Sequence, residues 1–166
     1  MDGCHEGELV SASALLFRPR PKEQEGLMGY LLRLVDENYL TGIGELLRLT
    51  LSSPDRGYVR YAATQAFDLS VPQLERLASQ FGLSVEMLHC LNDPLGIARG
   101  LEHITDARSF LYGVLRRDVH RVWCPECLRE DGFLRKAWDW ILTTRCPRHC
   151  CLLVERCEKC GDLAGC

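Results

Sequence analysis

Eight of the ten cysteines in this 166-residue chain fall between Cys124 and Cys166, spaced as metal ligands are spaced. Cys124-Pro125-Glu126-Cys127 is followed, after eighteen intervening residues, by Cys146-Pro147-Arg148-His149. Two residues between ligands let one tight turn aim both side chains at a single ion. The stretch between the pairs is long enough for a short hairpin to bring the two turns together. Three thiolates and an imidazole then form a tetrahedral structural Zn2+ site with no open position. Cys150, one residue beyond His149, is the alternative fourth ligand. A further pair, Cys157-Glu158-Lys159-Cys160, followed by Gly161 and Cys166, begins a second zinc site. That site needs one more ligand, from Cys150, from Cys151 or from residues after Cys166. The competing use of clustered cysteines is a disulfide framework, which requires an oxidising compartment. The opening Met1-Asp2-Gly3-Cys4-His5-Glu6 lacks the basic region of a secretory signal. A redox Cys-x-x-Cys needs only one pair and comes with a parallel-sheet pattern, and no such pattern is present. Cys4 and Cys90 read as ordinary small side chains, and His5, His89, His103 and His120 have no partner at diagnostic spacing.

Around the first pair of turns, 137–144 reads as a strand delivering Cys146 to the metal, and 151–154 as its return. A unit this small cannot bury enough apolar surface by itself, so its folding should be coupled to metal binding. Upstream, 110–114 and 121–123 read as short strands, although 107–115 is also compatible with a helix. The N-terminal half has helical periodicity. Leu27, Tyr30, Leu31 and Leu34 recur at i, i+3, i+4 and i+7, which predicts a helix ending near Asn38. Ile43, Leu46, Leu47 and Thr50 repeat the spacing, with Thr41 available as a cap and Ser52-Ser53-Pro54-Asp55 as a breaker. Ser70 and Gln73 form a capping box, with Leu69 as staple partner and Pro72 in the first turn, for a helix running to Phe81. Gly82 then permits a tight turn, and Ser84 caps a second helix carrying Met87, Leu88 and Leu91. The expected fold is therefore a mainly α N-terminal domain with a helix-turn-helix at 70–91, followed by a small α+β zinc-binding domain of ribbon or knuckle type. The expected boundaries are an arm at 1–24, a helical domain at 25–95, a connection at 96–120 and the zinc-binding module or modules at 121–166.

Composition narrows the function. A net charge of −3 argues against a protein that grips nucleic acid through bulk positive charge. The hairpin carries Arg76 against Glu75, Glu86 and Asp93, and its second helix offers few side chains suited to reading bases. The balance reverses around the first zinc pair. Arg116, Arg117, Arg121, Arg129, Arg135, Lys136, Arg145 and Arg148 face a smaller set of carboxylates, interleaved with Trp123, Trp138 and Trp140. Such a surface can meet a nucleic-acid backbone or stack a base. The sequence holds no phosphate-binding glycine loop, no His-Glu-x-x-His and no nucleophile–base pair outside the metal cluster, so no catalytic residue is assigned. No apolar run approaches the ~18 residues of a membrane span, and the expectation is a soluble cytoplasmic protein.

Two stretches carry a family resemblance. One is Arg18-Pro19-Arg20-Pro21-Lys22 leading into Glu25-Gly26-Leu27-Met28-Gly29-Tyr30-Leu31-Leu32-Arg33-Leu34. The other is Cys124-Pro125-Glu126-Cys127, Ala137-Trp138, Cys146-Pro147-Arg148-His149, Leu152-Leu153 and Cys157-Glu158-Lys159-Cys160-Gly161. In this order they resemble the TniQ family of transposition proteins. The resemblance implies a non-catalytic adaptor for target-site selection, linking a guide-RNA effector complex or target DNA to an AAA+ ATPase of the TnsC type. It implies Zn2+ held by Cys124, Cys127, Cys146 and His149, with Cys157, Cys160 and Cys166 toward a second ion. Partner or nucleic-acid contacts are expected at Arg18, Arg20, Arg121, Arg129, Arg135, Lys136, Arg145 and Arg148, with homodimerisation as a further expectation. The alternative function is direct, sequence-specific DNA binding. The chain departs from the family pattern at Cys150 and Cys151, where a small residue and an aliphatic one are expected, and the second module lacks its usual downstream pair.

Overall fold

The computed structural model describes residues 15–50, 71–92, 121–157 and 159–161. Within them the chain forms α1 (Leu27–Glu37), α2 (Ile43–Thr50), α3 (Val71–Phe81), α4 (Val85–Asn92), α5 (Pro125–Asp131) and a 3-10 turn at Lys136–Asp139. Extended pairing among the described residues is limited to three antiparallel bridges: Glu25 with Arg135, Trp123 with Val154, and Arg145 with Leu152.

The apolar stripe of α1 is the centre of the helical half. Leu27, Tyr30, Leu31 and Leu34 are completely or almost completely buried, and they pack with Leu46 and Leu47 of α2, Leu77, Ala78 and Phe81 of α3, and Leu88 and Leu91 of α4. Burying each large apolar side chain contributes ~1.5–3 kcal/mol, which lets four short helices hold together without long-range backbone pairing. The Tyr30 and Phe81 rings meet edge to face, with centroids 5.9 Å apart. α1 ends where the sequence suggests. Asn38 donates its side-chain amide to the Leu34 carbonyl (2.9 Å), Tyr39 takes a left-handed backbone (φ 55°), and the Leu40 N–H reaches back to Val35 (2.9 Å). The same Asn38 amide accepts from the N–H groups of Leu16 (2.9 Å) and Phe17 (3.0 Å), so the segment before α1 is tied along it. Leu15 is buried in the helical core.

At α2 the capping runs in the opposite sense to the expectation. Glu45 reaches back and accepts from both the N–H and the hydroxyl of Thr41, each at 2.7 Å. These bonds hold the Glu45 carboxyl below the usual range. In the α3–α4 hairpin, Gly82 occupies the left-handed region (φ 67°) and the Leu83 N–H bonds to Ala78 at 2.9 Å. Ser84 Oγ accepts from the Met87 N–H at 3.2 Å, as its cap role requires. The expected capping box at Ser70, the breaker at 52–55 and the elements around 107–115 and 110–114 lie outside the described residues.

The strand expected at 137–144 is not formed. Lys136–Asp139 is a 3-10 turn, with the Trp138 N–H bonded to the Arg135 carbonyl (3.1 Å), and a further turn closes from Thr143 N–H to Trp140 O (3.1 Å). The reason is a long-range commitment of the preceding backbone. Gly26 N–H donates to Leu134 O and Lys136 N–H donates to Gln24 O, both at 3.0 Å. The chain leaves this pairing by turning, which buries Trp138 and Trp140 and leaves Ile141 and Leu142 exposed. The return is reduced to the Arg145–Leu152 and Trp123–Val154 bridges.

That pairing joins the cysteine-rich part to α1, and two glycines make it possible. A Cβ on Gly26 would lie 3.0 Å from Lys136 Cα, and one on Gly29 would lie 2.6 Å from Leu134 O. Both opposing atoms are backbone, so a Cβ at 29 requires the seam to open and one at 26 requires it to give by a few tenths of an ångström. Lys22 reinforces the seam, donating Nζ to the Asp131 carbonyl (3.0 Å) and lying over the Phe133 ring. Beside it, Glu25 is a fully buried carboxylate gripped by Arg33 through two hydrogen bonds of 3.0 and 2.8 Å, with the Lys22 N–H as a third donor at 2.8 Å.

Candidate metal centre

Two local turns and one short helix present the ligands. Cys124 is the N-cap of α5, Pro125 sits in the first turn, and the Cys127 N–H donates to Cys124 Sγ at 3.4 Å. Cys-Pro-x-Cys is thus a knuckle that continues directly into a helix, ended by Gly132 in the left-handed region (φ 70°). The proline at N1 and the glycine after the last turn signal this helix in the sequence. The second turn closes through Cys150 N–H to Cys146 O at 2.9 Å, with Cys150 at φ 54°. This geometry points His149 inward and leaves Cys150 exposed.

Cys124, Cys127, Cys146 and His149 converge, with all four ligand atoms within 4.8 Å of one another. His149 Nδ1 lies 3.4 Å from Cys124 Sγ, 3.3 Å from Cys127 Sγ and 3.6 Å from Cys146 Sγ, and the Cys127 and Cys146 sulfurs are 3.5 Å apart. Metal bonds of about 2.3 Å to sulfur and about 2.0 Å to nitrogen, at tetrahedral angles, require edges of roughly 3.5–3.8 Å. These four edges lie close to that requirement, so the donor set suits a small tetrahedral cation. The three sulfurs are buried among Val122, Trp123 and Trp138, so the site is closed to solvent on the protein side.

The electrostatics of the cluster call for a cation. Burial, with the bonds from Cys146 and Cys124, pushes the Cys127 thiol up to about 12. Burial also opposes ionisation of Cys146, but the backbone N–H groups of His149 and Arg148 and the side chains of His149 and Cys127 outweigh it and hold that thiol at about 6. Without a metal the Cys146 thiolate is favoured and the Cys127 thiolate is opposed. A divalent ion supplies the charge that lets all three ionise. His149 Nε2 lies 3.2 Å from Glu130, and a proton shared there leaves the Nδ1 lone pair facing the sulfurs. Arg148 holds that carboxylate in place, donating to Glu130 and to Asp131 at 2.8 Å each. Cys151, which departs from the family pattern, has its sulfur 3.4 Å from Cys124, and this bond heads the causes that raise its pKa. Cys151 is a thiol touching the ligand set from outside, a position that spacing alone did not reveal.

The other sequence-selected residues are dispersed. Arg129 pairs with Glu126, while Arg135 and Arg148 share Asp131. The Arg121 guanidinium is drawn into the interior, where burial lowers its pKa against the opposing pull of Asp139. Arg145 is exposed and donates to the Cys150 carbonyl at 3.1 Å, and Lys136 sits at the α1 seam. Arg18 and Arg20 are exposed on the segment along α1, with Arg18 beside the Gly82 turn. Cys157 packs against the metal-cluster core and Cys160 is exposed. Cys166 lies outside the described residues.

A short-helix scaffold with a Cys3His cluster seated against the glycine edge of its central helix defines a mostly helical protein with a site that could hold a metal ion. The chain belongs to the TniQ family, whose profile matches residues 16–153. Membership implies a transposition-associated role in target selection. No match was found among curated proteins. None of the helices among the described residues is long and apolar enough to cross a membrane.

Proposed function

We propose that this protein is a non-catalytic adaptor that joins a target-recognition complex to a TnsC-type AAA+ ATPase, with Zn2+ in the Cys124–Cys127–Cys146–His149 cluster. The three-sulfur, one-nitrogen donor set and its closed geometry favour zinc over harder cations. All four positions are taken by protein, so the ion stabilises the fold and has no place for a reacting water. The observation that carries the adaptor reading is that part of the positive charge near the cluster is paired within the molecule. Arg129, Arg135 and Arg148 are engaged by Glu126, Asp131 and Glu130. In the α3–α4 hairpin, taken here as the helix-turn-helix, α4 carries Glu86 and neither arginine nor lysine. A helix that reads bases needs such donors, whereas a helix that packs or meets a protein does not. Sequence specificity would then come from a guide RNA or a dedicated DNA reader. The exposed Arg18, Arg20 and Arg145 are the residues assigned to partner or nucleic-acid backbone contact.

A second Zn2+ is proposed at Cys157 and Cys160 with Cys166. In support, Gly161 closes that turn with an N–H to Cys157 O bond of 2.8 Å and φ 76°, the same closure that Cys150 makes over Cys146. Native mass spectrometry counts the ions: one for the first cluster alone, two for both. Zero would remove the metal assignment. For the adaptor role, the zinc-loaded chain is expected to be retained by the ATPase filament or a guide-RNA effector complex and to bind random duplex weakly. Selection of one DNA sequence at nanomolar strength in physiological salt would replace this reading with direct DNA recognition.

A further inference from the structure

Away from Gly29, where α1 touches Leu134, the helix and the metal module diverge into a cavity of about 480 Å³. Leu32 of α1 forms one wall, and Trp123, Leu128, Phe133 and Leu134 form the other. A groove is outlined by two adjoining hollows, the second, of about 310 Å³, sharing Trp123, Leu128 and Cys157 with the first. Its ends carry opposite charge. At the α1 end stand Asp36 and Glu37, both exposed. The cation nearest them, Arg33, is committed to Glu25 at 2.8 Å and is 3.9 Å from Glu37. At the far end stand Arg129, Arg156 and Lys159. Arg129 is paired with Glu126 and Arg156 donates to the Gly161 carbonyl, which leaves Lys159 free of any ion pair among the described residues.

We propose that this groove holds an extended peptide segment of a partner protein, with apolar side chains on its floor. A basic residue of the segment would meet Asp36 and Glu37, and a carboxylate would meet Arg156 and Lys159. The charge pattern selects the class of occupant. A nucleic-acid strand presents phosphate along its whole length, and the carboxylates at the α1 end repel it, whereas a peptide can carry both signs. The proposal deepens the adaptor reading and rests on it only for the source of the segment.

The test titrates the zinc-loaded, isotope-labelled full chain at low ionic strength and reads amide and indole resonances by NMR. Three synthetic peptides are compared: Lys-Arg-Leu-Phe-Leu-Asp-Glu, Lys-Arg-Leu-Phe-Leu-Lys-Arg and Asp-Glu-Leu-Phe-Leu-Asp-Glu. Their arrangement keeps the comparison independent of chain direction. The first is expected to shift Leu32, Cys157 and the Trp123 indole and to bind about threefold to tenfold more tightly than the others, from ion pairs at both rims. The exposed double change Asp36→Lys, Glu37→Lys should transfer the preference to the third peptide. Shifts in the groove by no peptide, equal binding by all three, or stronger shifts of the same resonances by oligothymidylate would overturn the proposal. Loss of ATPase capture with peptide preference intact would instead refute the adaptor reading and leave the groove assignment standing.

Discussion

Replacing Gly29 with alanine tests whether the metal module is seated on α1 through a backbone contact. The added Cβ would lie 2.6 Å from Leu134 O and 3.0 Å from Leu134 N, against an ordinary contact beginning near 3.4 Å, so the seam must open by about 0.8 Å. Neither opposing atom can rotate away. The same Leu134 carbonyl accepts the Gly26 N–H, and the Lys136–Gln24 bond lies next to it. Overpacking costs ~1–3 kcal/mol and weakening two such bonds ~0.5–1.5 kcal/mol each. The gain in helix propensity offsets ~1 kcal/mol. The net expectation is a loss of about 1–5 kcal/mol, or roughly 2–20 °C in Tm for a chain of this size. Gly44→Ala is the control: nothing lies within 4 Å of its Cβ, so it should be neutral or stabilising by up to ~1 kcal/mol. Thermal unfolding of the zinc-loaded protein measures both, and amide exchange at Gly26 and Lys136 localises the effect. If Gly29→Ala matches Gly44→Ala in Tm and leaves those two amides equally protected, the seated arrangement is refuted.

Three other outcomes follow from named contacts. Glu130→Gln should weaken metal affinity about tenfold to a hundredfold in a chelator competition, because the carboxylate orients the His149 ring at 3.2 Å. Arg33→Ala should cost about 3–5 kcal/mol in urea unfolding, since it leaves the fully buried Glu25 carboxylate without its cation, and adding Glu25→Leu should recover much of the loss. Burial, aided by Glu25 and opposed by Arg33, raises the Tyr30 phenol from 10.0 to about 12. The folded state therefore keeps a proton that the unfolded chain releases. This contribution to stability is full below pH 10 and lost as pH rises toward 12, an alkaline dependence that Tyr30→Phe should remove from stability curves.

The convergence of Cys124, Cys127, Cys146 and His149 and the helices α1 to α4 were legible in the sequence because each depends on neighbours a few positions away. A knuckle is a four-residue turn, so Cys-x-x-Cys and Cys-x-x-His already specify which atoms can share an ion. An apolar stripe at 3.6-residue period likewise specifies the face of α1 that is buried. Even the choice of His149 over Cys150 is local, made by the backbone closure at Cys150. Tertiary structure decided what depends on partners more than a hundred positions apart, as in the Lys22–Asp131 contact. What Gly26 and Gly29 permit becomes visible only once Leu134 and Lys136 are laid against them. The backbone pairing at 134–136 turned an expected strand into a 3-10 turn, and Arg129, Arg135 and Arg148, three of the arginines that read as a cationic surface, pair with Glu126, Glu130 and Asp131. Composition counts charges one by one, whereas only folding sets each beside its counter-ion, and that placement determines which faces remain for a partner.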